Sequence, residues 1–172
     1  MTAANIWYIL RVKRDGVMFK VLNLFVDSKH NEDVLVSDLS LRRQGKSIMY
    51  SNDNAVFLSP YISEGKYNFD ISGANIEKYI ISNKKGYLLI RFHDKYLLEE
   101  MDRFLDELID ESSKSPYYRN SAEYRWKFKI VIDGCHYIQR IKNKKLMAIK
   151  EYTRESLIDM IRKLDDARVR IQ

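Results

Sequence analysis

Residues 124–132 read YRWKFKIVI. Tyr124, Trp126, Phe128, Ile130 and Ile132 alternate with Arg125, Lys127 and Lys129. Successive side chains of a strand point to opposite faces, so this period of two predicts a half-buried β-strand with a charged wet side. Asp133-Gly134 follows as a turn, CHYIQRIK returns as a second strand, NKK turns again, and LMAIK makes a third. The stretch YTRESLIDMIRKLDDARVR then changes to helical spacing. Thr153 is placed as its N-cap, and Leu157, Met160, Ile161 and Leu164 as its buried stripe. The expected C-terminal unit, residues 122–172, is a three-stranded sheet plus a helix.

Working back from this unit, ESSKSPYYRNS at 111–121 is polar and holds Pro116, whose preceding residue is pushed out of helix. It reads as a linker, and residues 1–112 read as an N-terminal α+β region. KYLLEEMDRFLDELIDE at 95–111 spaces Leu97, Leu98, Met101, Phe104, Leu105, Leu108 and Ile109 by threes and fours. That pattern predicts an amphipathic helix over about 95–112. YLLIRFH before it reads as a buried strand, and Ser72 as the cap of a short helix through Ile76, Tyr79 and Ile80. KYNFDIS, residues 55–59, SIMYS and VLVSDLSL read as further short strands. Residues 5–13 and 17–26 flank Asp15-Gly16, the expected N-terminal β-hairpin. The strand-then-Asp-Gly pattern after Trp7 faintly echoes the one after Trp126, as any two such hairpins do. The expected fold class is therefore α+β, with a mixed or antiparallel sheet. The two regions are free to share one core.

The chain has 172 residues, 45% of them hydrophobic, enough to bury a core, and 31% charged. The single Cys135 allows no internal disulfide. With no secretory leader legible, it points to an intracellular, cytoplasmic or nucleoid-associated setting. No apolar run approaches the roughly 18 residues that span a bilayer, so no membrane partner is expected. Frequent Lys, Ile, Asn and Tyr suit an AT-rich genome, as many phage and mobile elements have.

Net charge is +6, and it is unevenly spread. Residues 95–111 carry seven acids against two bases, a net −5, which leaves +11 for the rest. Residues 117–150 carry nine bases against two acids, a net +7. Opposite charges of this kind screen one another within a fold, or present an acidic and a basic surface to partners.

Catalytic and metal motifs are not legible. His30, His93 and His136 have no second ligand at metal spacing, and adjacent Cys135 and His136 on a strand point to opposite faces. RRQGK has one Gly and so does not make a glycine-rich phosphate loop. Glu64 and Lys66 lie at a turn without a matching upstream Asp for nuclease chemistry. A row of solvated acids on one helix does not split carboxyl pKa values as paired acid catalysts require. No catalytic residue, metal ligand or cofactor is assigned.

Two functions fit the charge pattern. The first is a non-enzymatic nucleic-acid-binding accessory protein, for DNA or RNA. Arg125, Lys127 and Lys129 stand about 7 Å apart along one strand face, close to the step between successive phosphates. Arg140 and Lys142 would widen the patch, Lys144 and Lys145 would form its rim, and Arg119 adds charge. Trp126 and Phe128 point to the core by the alternation, which leaves Tyr117 and Tyr118 as the candidate base-stacking aromatics. Three strands and a helix is also an element order of small DNA-reading modules, without any of their motifs here. The second function is a protein-interaction module, an inhibitor, adaptor or assembly subunit. It would dock or self-associate through a strand edge or through Glu99, Asp102, Asp106 and Asp110 of the acidic helix.

Overall fold

A computed structural model of the protein describes residues 32–63, 65–92, 95–109 and 124–169. The expected N-terminal hairpin, the linker at 111–121, and with them Asp110, Tyr117, Tyr118 and Arg119, lie outside the described residues.

The fold is α+β, with two sheets. A six-stranded mixed sheet is built from β1 (Arg42–Arg43), β2 (Met49–Ser51), β3 (Ala55–Leu58), β5 (Lys85–Phe92), β6 (Lys95–Glu100) and β10 (Lys150–Tyr152), in the order β1-β2-β3-β5-β6-β10. Only β3 and β5 pair in parallel; the other neighbours are antiparallel. A four-stranded antiparallel sheet has the order β4-β7-β8-β9, from β4 (Asn68–Ser72), β7 (Arg125–Asp133), β8 (Cys135–Arg140) and β9 (Leu146–Ala148). The helices are α1 (Gly73–Ser82), α2 (Met101–Leu108) and α3 (Arg154–Val169).

The chain passes between the sheets. The crossover from β3 to β5 leaves the six-stranded sheet, adds β4 to the other, and returns through α1. Ser72 caps α1 as the sequence predicts, its hydroxyl accepting from Asn75 N at 3.3 Å. Beyond β9 the chain returns to pair β10 with β6, Glu151 opposite Leu97. The three C-terminal strands are therefore joined by β4, and the closing helix packs on the other sheet.

Two cores result. In the first, Val56, Leu58, Leu88, Ile90 and Leu97 of the six-stranded sheet meet Phe69, Ile71, Trp126, Phe128, Ile130 and Ile138 of the four-stranded one. Tyr79 of α1 and Met101, Phe104 and Leu108 of α2 join them. In the second, Phe57, Tyr87, Leu89, Tyr96 and Leu98, from the opposite side of the six-stranded sheet, are covered by Val34, Leu35, Leu157 and Ile161. Apolar side chains on both faces explain the unbroken hydrophobic runs in β3, β5 and β6.

Three expectations are corrected. The helix expected over 95–112 begins only at Met101; residues 95–100 are strand β6, between β5 and β10. Adjacent Leu97 and Leu98 suit a strand buried on both faces as well as a helical stripe, and pairing on both sides decides for the strand. Residues 33–38 form a π-helical segment, not a strand, which lays Val34 and Leu35 into the second core. Leu164 is 38% exposed, so the buried stripe of α3 is narrower than its spacing suggests.

Candidate nucleic-acid interface

The outward face of the four-stranded sheet is set by the register of β4, β7 and β8. Phe128 pairs with Phe69 and Arg140, Trp126 with Ile71, and Ile130 with Ile138, all turned inward. Of the residues between them, Asn68 lies opposite Lys129 and Asp70 opposite Lys127 on the outward face, while Ser72, opposite Arg125, is buried as the cap of α1. Arg125 and Lys127 are exposed, and Lys129 is half-buried. The expected alternation holds from Trp126 through Ile130 and fails at both ends: at Tyr124, which is 38% exposed, and at Ile132, which is 55% exposed beside the Asp133-Gly134 turn. Gly134 takes φ +70°, the left-handed conformation this tight turn needs.

Lys142, Lys144 and Lys145 are exposed on the turn joining β8 to β9. Backbone bonds hold that turn: Lys144 N donates to Arg140 O at 2.9 Å, Arg140 N to Lys145 O at 2.9 Å, and Ile141 N to Lys127 O at 3.0 Å. Lys145 N also donates to Asn143 Oδ1 at 3.1 Å. The lysines are thus carried on an ordered frame against the edge of the three-base row.

Arg140 is buried beneath that surface and adds no exposed charge to it. It is 4% exposed, and its Nη1 donates to Leu108 O at 3.0 Å, at the C-terminal end of α2. Its place on β8 shares parity with buried Ile138. The guanidinium serves a helix terminus whose last carbonyls lack intrahelical donors.

Two clefts adjoin the basic row. The larger, about 490 Å³, is lined by Ile48, Pro60, Tyr61, Ser63, Asn68, Phe69, Asp70, Arg125, Lys127 and Ile141. The smaller, about 190 Å³, is lined by Tyr124, Arg125, Trp126, Lys127, Arg140, Ile141 and Lys142. Arg125, Lys127 and Ile141 are common to both, so the cationic row is the ridge between them. Tyr61 is 51% exposed and Tyr124 38%. The loop carrying Tyr61 is pinned by Ser63 N donating to Asn68 O at 2.7 Å and Asn68 N to Ser63 Oγ at 3.1 Å. Asp70 is the acid among these groups; its Oδ1 accepts from Arg125 Nη1 at 2.7 Å.

Sequence reading missed Tyr61 and Asp70. Asp70 lies between buried Phe69 and Ile71, so its outward direction was readable, but its strand partner was not. Tyr61 follows Pro60 in a loop, and no periodicity marks such a position.

The acidic side chains proposed for docking are more involved in the fold than a wet helix face implies. Glu99 is 6% exposed on β6; its Oε2 accepts from Arg103 Nη1 at 2.6 Å and its Oε1 from Glu100 N at 3.0 Å. Asp102 Oδ1 accepts from Tyr79 Oη at 2.6 Å, and burial together with this bond pushes the Tyr79 hydroxyl pKa upward. Asp106 is exposed. Cys135 is exposed while its neighbour His136 points inward against Phe92, as adjacent strand residues must. Among the described residues no group of three His, Cys, Asp or Glu side chains converges on a metal-sized site, and no helix is long and apolar enough to cross a membrane.

Comparison with protein-family models, with curated proteins and with solved structures finds no match for this chain.

Proposed function

We propose that the chain is a non-enzymatic nucleic-acid-binding accessory protein that holds phosphates on the outward face of its four-stranded sheet. The observation that supports this reading is the row of Arg125, Lys127 and Lys129 on β7, continued by Lys142, Lys144 and Lys145 on the adjoining turn. All but half-buried Lys129 are exposed. Cations in a row, on a rigid strand, match a linear array of phosphates better than scattered surface charge does. The open clefts on either side leave room for the sugar and base of each nucleotide.

The test is fluorescence polarisation with labelled oligonucleotides across a salt series, for the native chain and for the combined Arg125→Ala, Lys127→Ala, Lys129→Ala variant. Each phosphate contact on a single strand contributes about 0.7 to the slope of log affinity against log salt. Losing three flattens that slope by about 2. A variant that binds like the native chain removes this face from consideration. No binding by the native chain at low salt makes the bases a solvated surface, and the docking of a protein partner becomes the reading to pursue.

A further inference from the structure

We infer that the ligand of this face is single-stranded, with bases stacked on Tyr61 and Tyr124 while the backbone follows Arg125 and Lys127. This rests on the phosphate-binding reading above and goes beyond it by naming the strandedness and the aromatic contacts. Arg125 and Lys127 form the ridge between two clefts, and each cleft has one exposed tyrosine in its lining. Tyr61 comes from the pinned loop after β3 and Tyr124 from the entry to β7. Tyr124 already meets Trp126 edge to face, with ring centroids 5.0 Å apart, which fixes the ring.

A cation row flanked by aromatic rings is the arrangement that single strands use. Every base has a π-face, and stacking on an aromatic side chain tolerates any sequence. A duplex keeps those faces inside its own stack and offers only base edges and backbone. It would bring no base face to either tyrosine. A concave cleft of about 490 Å³ also suits one splayed nucleotide better than the convex wall of a double helix.

The experiment compares a 15-mer of deoxythymidine, a 15-mer of uridine and a 15-base-pair duplex, each titrated over the same salt series. The proteins are the native chain, Tyr61→Leu, Tyr61→Trp, Tyr124→Leu and the triple alanine variant. The expected result is that a single strand binds more tightly than the duplex. Tyr61→Leu then weakens it by about fivefold or more, Tyr61→Trp restores it, and the salt slope stays unchanged. Tyr124→Leu acts in the same direction. A duplex bound as tightly as either single strand overturns the inference, as do leucine variants that bind single strands normally. If the triple variant loses binding while the leucine variants do not, the stacking inference fails and phosphate binding stands. If the triple variant binds normally, the reading of the whole face fails.

Discussion

Arg125 and Asp70 meet across neighbouring antiparallel strands, Nη1 of the one 2.7 Å from Oδ1 of the other. Their side chains are 59% and 42% exposed, so the pair is solvated and contributes little to stability. Its consequence is for the surface: one carboxylate stands among the bases where a phosphate would sit. Asp70→Asn removes that repulsion and releases the guanidinium. Unit charges 4 Å apart in water interact by about 1 kcal/mol, so affinity for a single strand rises by at most about fivefold. Polarisation titrations at low and high salt check this, with the gain shrinking as salt rises. A fall in affinity would mean instead that Asp70 orients Arg125 for its phosphate.

Arg140 and Lys127 are both bases of the C-terminal sheet and are predicted to behave oppositely. Arg140→Met leaves Leu108 O without its donor in a buried setting, a loss on the order of 1–3 kcal/mol. Affinity per folded molecule stays the same. Lys127→Ala, on the exposed face, changes stability by no more than about 0.5 kcal/mol and lowers affinity. Urea unfolding and polarisation on the same two variants separate the roles. Weakened binding by folded Arg140→Met would return that residue to the interface.

The parity that buries Arg140 was legible, since it shares a strand face with Ile138, and a period of two puts both inward. Counting bases along the segment without that parity placed it on the surface. The strand at 125–133 was legible for the opposite reason: one face is wet, and alternation survives in the sequence. The strand at 95–100 was not, because Tyr96 and Leu98 face one core while Leu97 faces the other, which erases the alternation. Asp70 beside Arg125 depends on pairing across 55 positions, and local pattern carries no information about such a pairing. The same holds for α3, whose apolar stripe was readable but whose destination on the six-stranded sheet was not.

Gly86 is predicted to be required by Tyr79. A methyl group added at Gly86 would lie 2.0 Å from Tyr79 Cε2, inside any possible contact. The ring would have to move, and with it the bond from Tyr79 Oη to Asp102. Gly86→Ala therefore costs on the order of 1–3 kcal/mol by overpacking, although alanine suits a strand better than glycine does. The cost falls sharply when Tyr79 is already alanine, because the two sites share the same space. A double-mutant cycle in urea measures the coupling. Additive losses would show that the ring is not what excludes the methyl group.

Glu151 ties the two sheets together at the end of β10. Its Oε1 accepts from Lys95 on β6, and its Oε2 lies 2.7 Å from His136 Nδ1 on β8. The bond from Lys95, with a smaller effect of His136, holds the Glu151 carboxyl below its ordinary value of 4.5. A carboxyl whose folded pKa is depressed binds its proton less readily in the folded chain than in the unfolded one. It therefore stabilises the fold fully above the unfolded value and loses that stabilisation as pH falls through the folded one. With the carboxylate 37% exposed, solvent screening limits the effect to about 1 kcal/mol or less. Glu151→Gln is thus slightly less stable than the native chain at pH 7, and the gap narrows as pH falls below the ordinary value of 4.5 and through the depressed folded one. Thermal unfolding of both proteins from pH 7 to pH 3 reads this directly. A gap that does not narrow as pH falls would assign the loss to packing at the sheet junction and not to the charge.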